Sequence, residues 1–147
     1  MLVLITGASS GFGEAMARKF VQQGHRVIAA ARRLERLQQL QLELGQALLA
    51  TQLDVTDKAS IAAMLQNLPD EWRDIDVLIN NAGLALGLAS AQTTSLEDWE
   101  TMIDTNNKGL LYITKLVAPI MIEQHCGHII NVASIAGFMP GPGAAVY

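Results

Sequence analysis

Short apolar runs and longer segments with helical spacing alternate along the chain, and this alternation predicts its secondary structure. The apolar runs are rich in branched residues and end in Gly or polar residues, as strands buried on both faces do. Five such strands are predicted, at positions 2–5, 26–31, 48–53, 75–80 and 127–133. Because helical segments separate them, the expected fold is α/β, a doubly wound parallel sheet with right-handed crossovers.

The helical segments carry their own packing and boundary signals. Phe12, Met16 and Phe20 recur every four residues and predict one apolar stripe on the first helix. Ser95, followed by an acidic residue three positions later, predicts the capped start of a long helical stretch. Since proline lacks the N–H that a helix interior needs, that stretch is expected to break or bend before Pro119.

Composition narrows the class of protein. The 147 residues suffice for one domain with a buried core. Half of them are hydrophobic, 16% are charged and the net charge is −4, which argues against disorder and provides no basic surface for nucleic acid. No run of about 18 apolar residues occurs, so no membrane span is expected. With Cys126 as its single cysteine and no leader before the first strand, the protein is expected in the cytoplasm.

A glycine-rich stretch, TGASSGFG, joins the first predicted strand to the first helix. Its glycines suit a tight turn, a close approach of backbone to phosphate and close packing of the helix. The free N–H groups at the helix start favour an anion there, although a glycine-rich turn without a ligand is the alternative. We predict a Rossmann-type cofactor-binding turn whose members are Gly7, Ala8, Ser9, Ser10, Gly11, Phe12 and Gly13.

The spacing of that turn, G-x-x-x-G-x-G, occurs together with the sequence NNAG at positions 80–83. In both features the chain resembles the short-chain dehydrogenase/reductase family. The resemblance implies that NNAG ends the fourth strand and supports the cofactor site. It also implies that Asn81 contacts the ribose region of the cofactor.

The residues after the second strand bear on the choice of cofactor. An enzyme that prefers NAD usually has an acid there, whereas this chain has Ala31, Arg32 and Arg33. A guanidinium attracts a 2′-phosphate and can bind it through two hydrogen bonds, so the sequence favours NADP. Two solvated arginines at a helix start are the alternative. A rival class with the same layered fold, the S-adenosylmethionine methyltransferases, needs an acid at this place, and this chain lacks one.

Asp54 and Val55 follow the third strand. The resemblance implies that this pair lies against the adenine, with the Asp54 carboxylate accepting a hydrogen bond from its amino group. Asp54 is also close enough to the next helix to cap it. The two roles are compatible.

The resemblance implies a catalytic set of Asn, Ser, Tyr and Lys, of which three are present. These are Asn106 in TNNKG, Ser134 in NVASIAG and Tyr147, although Asn107 competes with Asn106 for its role. Ser134 would hydrogen-bond the substrate oxygen, Tyr147 would exchange its proton, and Asn106 would hold a water in a proton relay. Ser134 as a cap and Tyr147 as a half-buried aromatic are the structural alternatives.

The family's lysine would fall four residues after Tyr147, past the end of the given sequence. We therefore expect a truncated piece, the N-terminal portion of a single dinucleotide-binding catalytic domain whose C-terminal part is missing, and expect the fragment to be inactive. Within the family, GFGE, NNAGLALG and GHIIN resemble the branch that acts on small 3-hydroxy acids with NADP, such as serine, allo-threonine and 3-hydroxypropionate types. Alternatives are reduction of another alcohol or carbonyl substrate, or a non-catalytic NADP-binding module.

Two further expectations concern metals and partners. His125, Cys126 and His128 crowd together, but a structural zinc site needs a second pair of ligands, so no metal is expected. The long helix is apolar over more than one stripe. In the family this helix packs between subunits, so the resemblance implies a homo-oligomer for the full-length protein, with core packing as the alternative.

Overall fold

The computed structural model describes residues 1–86, 89–139 and 146. Its strands are β1 (Leu2–Thr6), β2 (Arg26–Ala31), β3 (Leu48–Gln52), β4 (Val77–Asn80) and β5 (His128–Asn131). Its α-helices are α1 (Gly11–Gln22), α2 (Leu34–Leu44), α3 (Lys58–Gln66), α4 (Leu96–Met102) and α5 (Leu110–Glu123). A π-helical segment (Ile103–Gly109) joins α4 to α5, and short 3-10 turns lie at Gly45–Ala47, Asp70–Trp72 and Ile135–Gly137.

The five strands form one parallel sheet in the order β3-β2-β1-β4-β5. The chain runs outward from β1 to β3 and then returns to the other side of β1 with β4. The strand order therefore reverses between β1 and β4. In sheets of this type, ligands bind in the crevice outside the carboxyl ends of the strands at such a reversal.

Helices cover both faces of the sheet, as the doubly wound prediction requires. Alternate residues of β1 enter two separate cores, with Leu2 and Leu4 on one face and Val3 and Ile5 on the other. The first core includes residues of α3 and α5, and the second includes residues of α1 and α2. The predicted fold class is confirmed, with both faces of the central strands removed from water.

Burial on both faces is confirmed for the central strands and wrong for the two edge strands, β3, which buries Leu48 alone, and β5. All residues of β1 and β4 are buried, whereas all four residues of β5 are exposed. Among the described residues, β5 pairs with β4 alone, so it lacks the second neighbour that β1 has. An apolar run therefore predicted this strand, but its sequence did not reveal how much of it is covered.

The apolar stripe predicted for α1 is wrong at its first member. Phe12 is 80% exposed, and the residues that α1 buries are Gly13 and Ala17. The start of the helix lies so close to the neighbouring turn that only a residue without a large side chain fits there. Met16 and Phe20 pack, partly buried, against the core beneath α1.

The long helical stretch changes its geometry, but at a different place from the one predicted. Ser95 Oγ accepts a hydrogen bond from Asp98 N at 3.1 Å, which confirms the predicted cap of α4. The irregularity is the π-helical segment before α5, and Pro119 lies inside α5 without ending it. The prediction of a break before Pro119 referred to the right stretch for the wrong reason. π-Helical turns within helices often lie at functional sites.

None of the helices in the described part of the chain combines the length and apolarity needed to cross a lipid bilayer.

Candidate functional site

The glycine-rich turn follows β1 at the reversal point of the sheet. Gly7 and Gly11 have φ of +67° and +58°, in the left-handed region that favours glycine. A Cβ on Gly11 would meet nothing within 4 Å, whereas a Cβ on Gly13 would collide with the carbonyl oxygen of Gly7. Gly11 thus leaves open space beside the backbone, and Gly13 lets α1 pack against the turn.

The turn is fastened to the end of β4 by polar side chains. Asn81 Nδ2 donates to the carbonyl oxygens of Thr6 at 2.9 Å and Gly7 at 3.3 Å. The buried Thr6 hydroxyl accepts from the backbone N–H groups of Asn81 and Ala82, both at 3.0 Å. The amide of Asn81 therefore positions the turn. A contact with a ribose is a separate role, which the sequence resemblance implied and which remains a prediction.

Both arginines predicted to favour NADP lie beside this turn. Arg33 Nη2 donates to Ser10 Oγ at 2.7 Å and to Ser9 Oγ at 2.9 Å, and Arg33 Nε donates to Ser9 Oγ at 3.2 Å. The side chains of Arg32 and Arg33 are exposed, and the strand before them ends in the buried Ala31. The end of β2 therefore presents two cations.

A cavity of about 300 Å³ joins these features. It is lined by Gly7, Ser9 and Ser10 of the turn, by residues 30–33 at the end of β2, by residues 53–56 after β3, by residues 82–84 after β4, and by Thr105. The predicted cofactor residues Arg32, Arg33, Asp54 and Val55 thus share one cavity with the turn. Together with the turn and residues 82–84, they lie at the carboxyl ends of β1, β2, β3 and β4, where ligands of such sheets bind.

Asp54 has a local role that the structure defines. Its Oδ1 accepts from the N–H of Thr56 at 2.9 Å and from the Thr56 hydroxyl at 2.7 Å. The cap of α3 is Asp57, whose side chain accepts from Ala59 N at 2.9 Å. The suggestion that Asp54 caps the helix is therefore wrong, because it instead orders the turn leading to Asp57. The adenine contact remains a prediction.

A second cavity, of about 610 Å³, brings together the candidate catalytic residues that the structure describes. Asn106 and Ser134 both line it, as do the exposed Phe12 and the half-buried Asn81. It shares Gly7 and Ser10 with the first cavity, so the two adjoin at the glycine-rich turn. Tyr147, the third candidate, lies outside the described residues.

Asn106 lies on the π-helical segment and holds the loop after β4. Its Oδ1 accepts from Leu84 N at 2.9 Å, while its Nδ2 donates to the Leu84 carbonyl at 2.8 Å. The side-chain amide of Asn106 thus pairs with both the N–H and the carbonyl of Leu84, as two residues on neighbouring strands do. Asn107, the alternative, is exposed and lines the same cavity. Asn106 therefore shapes the cavity wall, and its role in a proton relay remains a prediction.

The charged residues of the π-helical segment interact with each other. Lys108 Nζ donates to Asp104 Oδ1 at 2.8 Å. This hydrogen bond raises the pKa of Lys108 above its ordinary value, so the side chain stays cationic. The pair is exposed and spans one turn, so it stabilises the segment only weakly.

Ser134 follows β5 and begins the short turn at Ile135–Gly137. Its Oγ accepts from Ala136 N at 3.1 Å, and the residue is half-buried. An accepting hydroxyl still has its own hydrogen to donate, so capping leaves Ser134 able to bond a substrate oxygen in the cavity. The capping alternative and the catalytic prediction are compatible.

The remaining predicted residues of the turn have other surroundings. The side chain of Ala8 is fully buried in the core beneath α1, and its N–H donates to the Ala30 carbonyl at 3.2 Å. Gly11 is exposed at the start of α1, and Gly13 is buried. Neither these two glycines nor Ala8 line the two cavities, so any contact with a cofactor would come from their backbone.

Sequence reasoning did not identify Thr6 as part of the site, and it named Asn80 only as a member of NNAG, without its contacts. Thr6 and Asn80 are both buried, and Asn80 Nδ2 donates to Thr114 Oγ1 at 3.0 Å and to Asn131 Oδ1 at 2.9 Å. This amide ties β4 to α5 and β5 behind the second cavity. A polar residue that ends an otherwise apolar strand was the available signal in both cases.

Among residues 1–86, 89–139 and 146, no group of three His, Cys, Asp or Glu side chains is arranged to hold a metal ion.

Comparisons with known proteins agree on one family. The model of the family described as short chain dehydrogenase matches residues 1–147. The NADP-dependent 3-hydroxy acid dehydrogenase of Salmonella typhi is 60% identical over 147 residues, covering 100% of this chain and 59% of that protein. Serine 3-dehydrogenase of Agrobacterium fabrum is 51% identical over 145 residues, covering 99% of this chain and 58% of that protein.

Solved structures of serine dehydrogenases superpose closely on this chain. The closed form of serine dehydrogenase complexed with NADP+ has a TM-score of 0.99 and 59% identity, and the match covers 100% of this chain and 59% of that one. Serine dehydrogenase from Escherichia coli has a TM-score of 0.98 and 59% identity, with 100% of this chain and 68% of that one covered. The chain thus spans about three fifths of the length of the curated relatives it matches.

Proposed function

Because the chain belongs to the short chain dehydrogenase family, we propose that the protein is an oxidoreductase that transfers a hydride between NADP and a small 3-hydroxy acid or its carbonyl partner. We also propose that residues 1–147 belong to a single dinucleotide-binding catalytic domain. The observation that most supports NADP over NAD is the pair Arg32 and Arg33 on the cavity wall, where β2 ends without an acid.

The residues present fit a phosphorylated dinucleotide. Gly11 leaves open space beside the turn, and Ser10, at the N-cap of α1, makes no side-chain hydrogen bond to the helix. In the part of the chain that the structure describes, the first N–H groups of α1 thus lack a capping side chain, and the helix dipole favours a diphosphate there. Arg32 and Arg33 provide cations for a further phosphate on the same cavity, and a site preferring NAD would have an acid in their place.

A bound nicotinamide would supply or take the hydride, and the protein must then bind the substrate oxygen and handle one proton. Ser134 would donate its hydroxyl hydrogen to that oxygen, since its lone pair is engaged by Ala136 N. Asn106 would keep the wall of the second cavity in place through its two bonds to Leu84. Tyr147 would exchange the proton, a role that the resemblance to the family implies for it.

The substrate class rests on relatives. The Salmonella typhi protein is described as a 3-hydroxy acid dehydrogenase and the Agrobacterium fabrum protein as a serine 3-dehydrogenase, at 60% and 51% identity. The substrates that the two descriptions name share a carboxylate group and a hydroxyl group on the third carbon. We propose the same class here.

We propose in addition that the protein is a cytoplasmic homo-oligomer that binds neither nucleic acid nor membranes. The net charge of −4 and the single cysteine support the location and the lack of a nucleic-acid partner. The support for an oligomer is α5, which buries Ile113, Val117 and Met121 and leaves Leu111 and Ile122 61% and 72% exposed.

Replacement of Arg32 by Asp tests the cofactor choice. The unmodified protein is expected to bind NADPH more tightly than NADH, and Arg32→Asp is expected to weaken NADPH binding by about ten- to a hundredfold, because hydrogen bonds to charged groups have that strength. Fluorescence titration with each dinucleotide measures both constants.

Arg36→Asp is the matched control, because Arg36 is an exposed arginine of α2 that lines neither cavity. It makes the same change in net charge and should leave the NADPH preference in place. Equal affinity of the unmodified protein for both dinucleotides would refute the proposed cofactor.

A further inference from the structure

Ser10 occupies the N-cap position of α1 without capping the helix. Serine is among the best capping residues, because its oxygen normally accepts from an N–H of the first turn. The structure records no such bond for Ser10, whereas Ser95 and Asp57 cap α4 and α3 in the usual way. The Ser10 hydroxyl is therefore used for something other than helix stability.

The partner of that hydroxyl is Arg33. Arg33 Nη2 donates to Ser10 Oγ at 2.7 Å, and the same guanidinium donates twice to Ser9 Oγ at 2.9 and 3.2 Å. Ser9 is 7% exposed and so has little freedom to move. In the part of the chain that the structure describes, no carboxylate forms an ion pair with Arg33. Two hydroxyls thus hold the guanidinium without neutralising its charge.

From this arrangement we propose that Ser10, supported by Ser9, is a positioning residue for Arg33 and thereby determines how strongly the protein prefers a 2′-phosphorylated dinucleotide. The inference rests on the proposed NADP function and names a residue that sets its specificity. Ser10 and Arg33 both line the first cavity, so the bond joins the turn that would hold the diphosphate to the cation that would hold the 2′-phosphate.

The physical basis is preorganisation. A free arginine side chain has many rotamers, and fixing it on a ligand costs conformational entropy. Bonds to Ser9 and Ser10 fix the guanidinium before the ligand arrives, so less entropy is lost on binding. A serine that accepts from the guanidinium can also donate its own hydrogen to a phosphate oxygen. Only a ligand with a 2′-phosphate uses these features, so NADH binding should not depend on them.

Ser10→Ala in the full protein tests the inference. Fluorescence titration should show NADPH affinity reduced by about three- to tenfold, the range expected for one hydrogen bond, with NADH affinity changed by less than about twofold. Titration calorimetry with 2′,5′-ADP and 5′-AMP should show the same split without the nicotinamide. Ser10→Thr keeps the hydroxyl and should restore the NADPH preference.

Two further variants separate positioning from a general loss of structure. Ser95→Ala removes a capping hydroxyl far along the chain and should leave the ratio of NADPH to NADH affinity unchanged. In an Arg33→Gln background, Ser10→Ala should have no further effect on that ratio, because Ser10 acts through Arg33.

The outcomes separate a failure of this inference from a failure of the proposed NADP function. If the unmodified protein prefers NADPH and the Ser10→Ala variant keeps that preference in full, the role of Ser10 is overturned and the proposed function stands. Equal weakening of NADPH and NADH would also overturn it, since that result indicates a structural effect. A protein that binds neither dinucleotide would overturn both proposals.

Discussion

Ser134→Ala is expected to lower the turnover of a 3-hydroxy acid by about a hundredfold or more, the range observed when one hydrogen-bond donor to a reacting oxygen is removed. Ser134 lines the second cavity with Asn106, and its hydroxyl hydrogen is not needed for the bond that it accepts from Ala136 N. Steady-state kinetics with NADP+ in excess measures the loss. The affinity for NADPH should stay unchanged, because Ser134 does not line the cavity of the arginines.

Ser134→Thr is the matched variant, since it keeps a hydroxyl at the start of the turn at Ile135–Gly137. It should retain more activity than Ser134→Ala. If the alanine variant kept full turnover, Ser134 would be only a cap. A loss of NADPH binding in the same variant would indicate that the turn itself had been displaced.

Gly13→Ala is expected to destabilise the fold by about 3 kcal/mol or more, the upper range for an added methyl in a packed site. The new Cβ would collide with the Gly7 carbonyl oxygen and would lie 2.6 Å from Asn81 Nδ2. The first contact is with backbone, which cannot turn away as a side chain can. Urea denaturation measures the loss, and the thermal midpoint should fall with it.

Gly24→Ala provides the control for glycine replacement. Gly24 has φ of +81°, and among the described residues beyond its chain neighbours no atom lies within 4 Å of an added Cβ, so its replacement carries conformational strain without a collision. That strain should cost only about 1–2 kcal/mol. A Gly13→Ala protein as stable as Gly24→Ala would show that α1 can shift away from the turn, contrary to the packing described above.

The order of the elements was predictable because each strand is a short apolar run between polar or glycine-containing segments. The segment 26–31 was predicted to be a strand, and β2 has those bounds. A strand buried on both faces needs no context to be recognised. The exposure of β5 cannot be read from the strand's own residues, since His128–Asn131 reads like the other strands and its exposure depends on which neighbours cover it.

Local spacing failed where tertiary contacts decide the packing. Phe12 has the spacing of a core residue, yet the close approach of Gly13 to Gly7 turns that side chain outward to the second cavity. Pro119 was expected to bend the helix because of its missing N–H, but the irregularity is the π-helical segment Ile103–Gly109. Its position follows from contacts that no local pattern records.

The candidate site was predictable as a set of residue types, but its internal bonds were not. Two arginines after the second strand predict a binding site for an anion, whichever rotamers their side chains adopt. That Arg33 binds Ser9 and Ser10 depends on the distance between two turns that are 23 to 24 residues apart in sequence. Likewise, Asn106 was recognised by resemblance, whereas its paired bonds to Leu84 require the folded loop.

The central claim is an NADP-linked oxidation of small 3-hydroxy acids, and the direct measurement is turnover of a substrate panel with NADP+ and with NAD+. The panel should contain serine, allo-threonine and 3-hydroxypropionate beside simple alcohols, sugars and steroids, assayed with the full-length protein. We predict reduction of NADP+ in preference to NAD+, with the 3-hydroxy acids oxidised fastest. Turnover confined to sugars or steroids, or a preference for NAD+, would contradict this account.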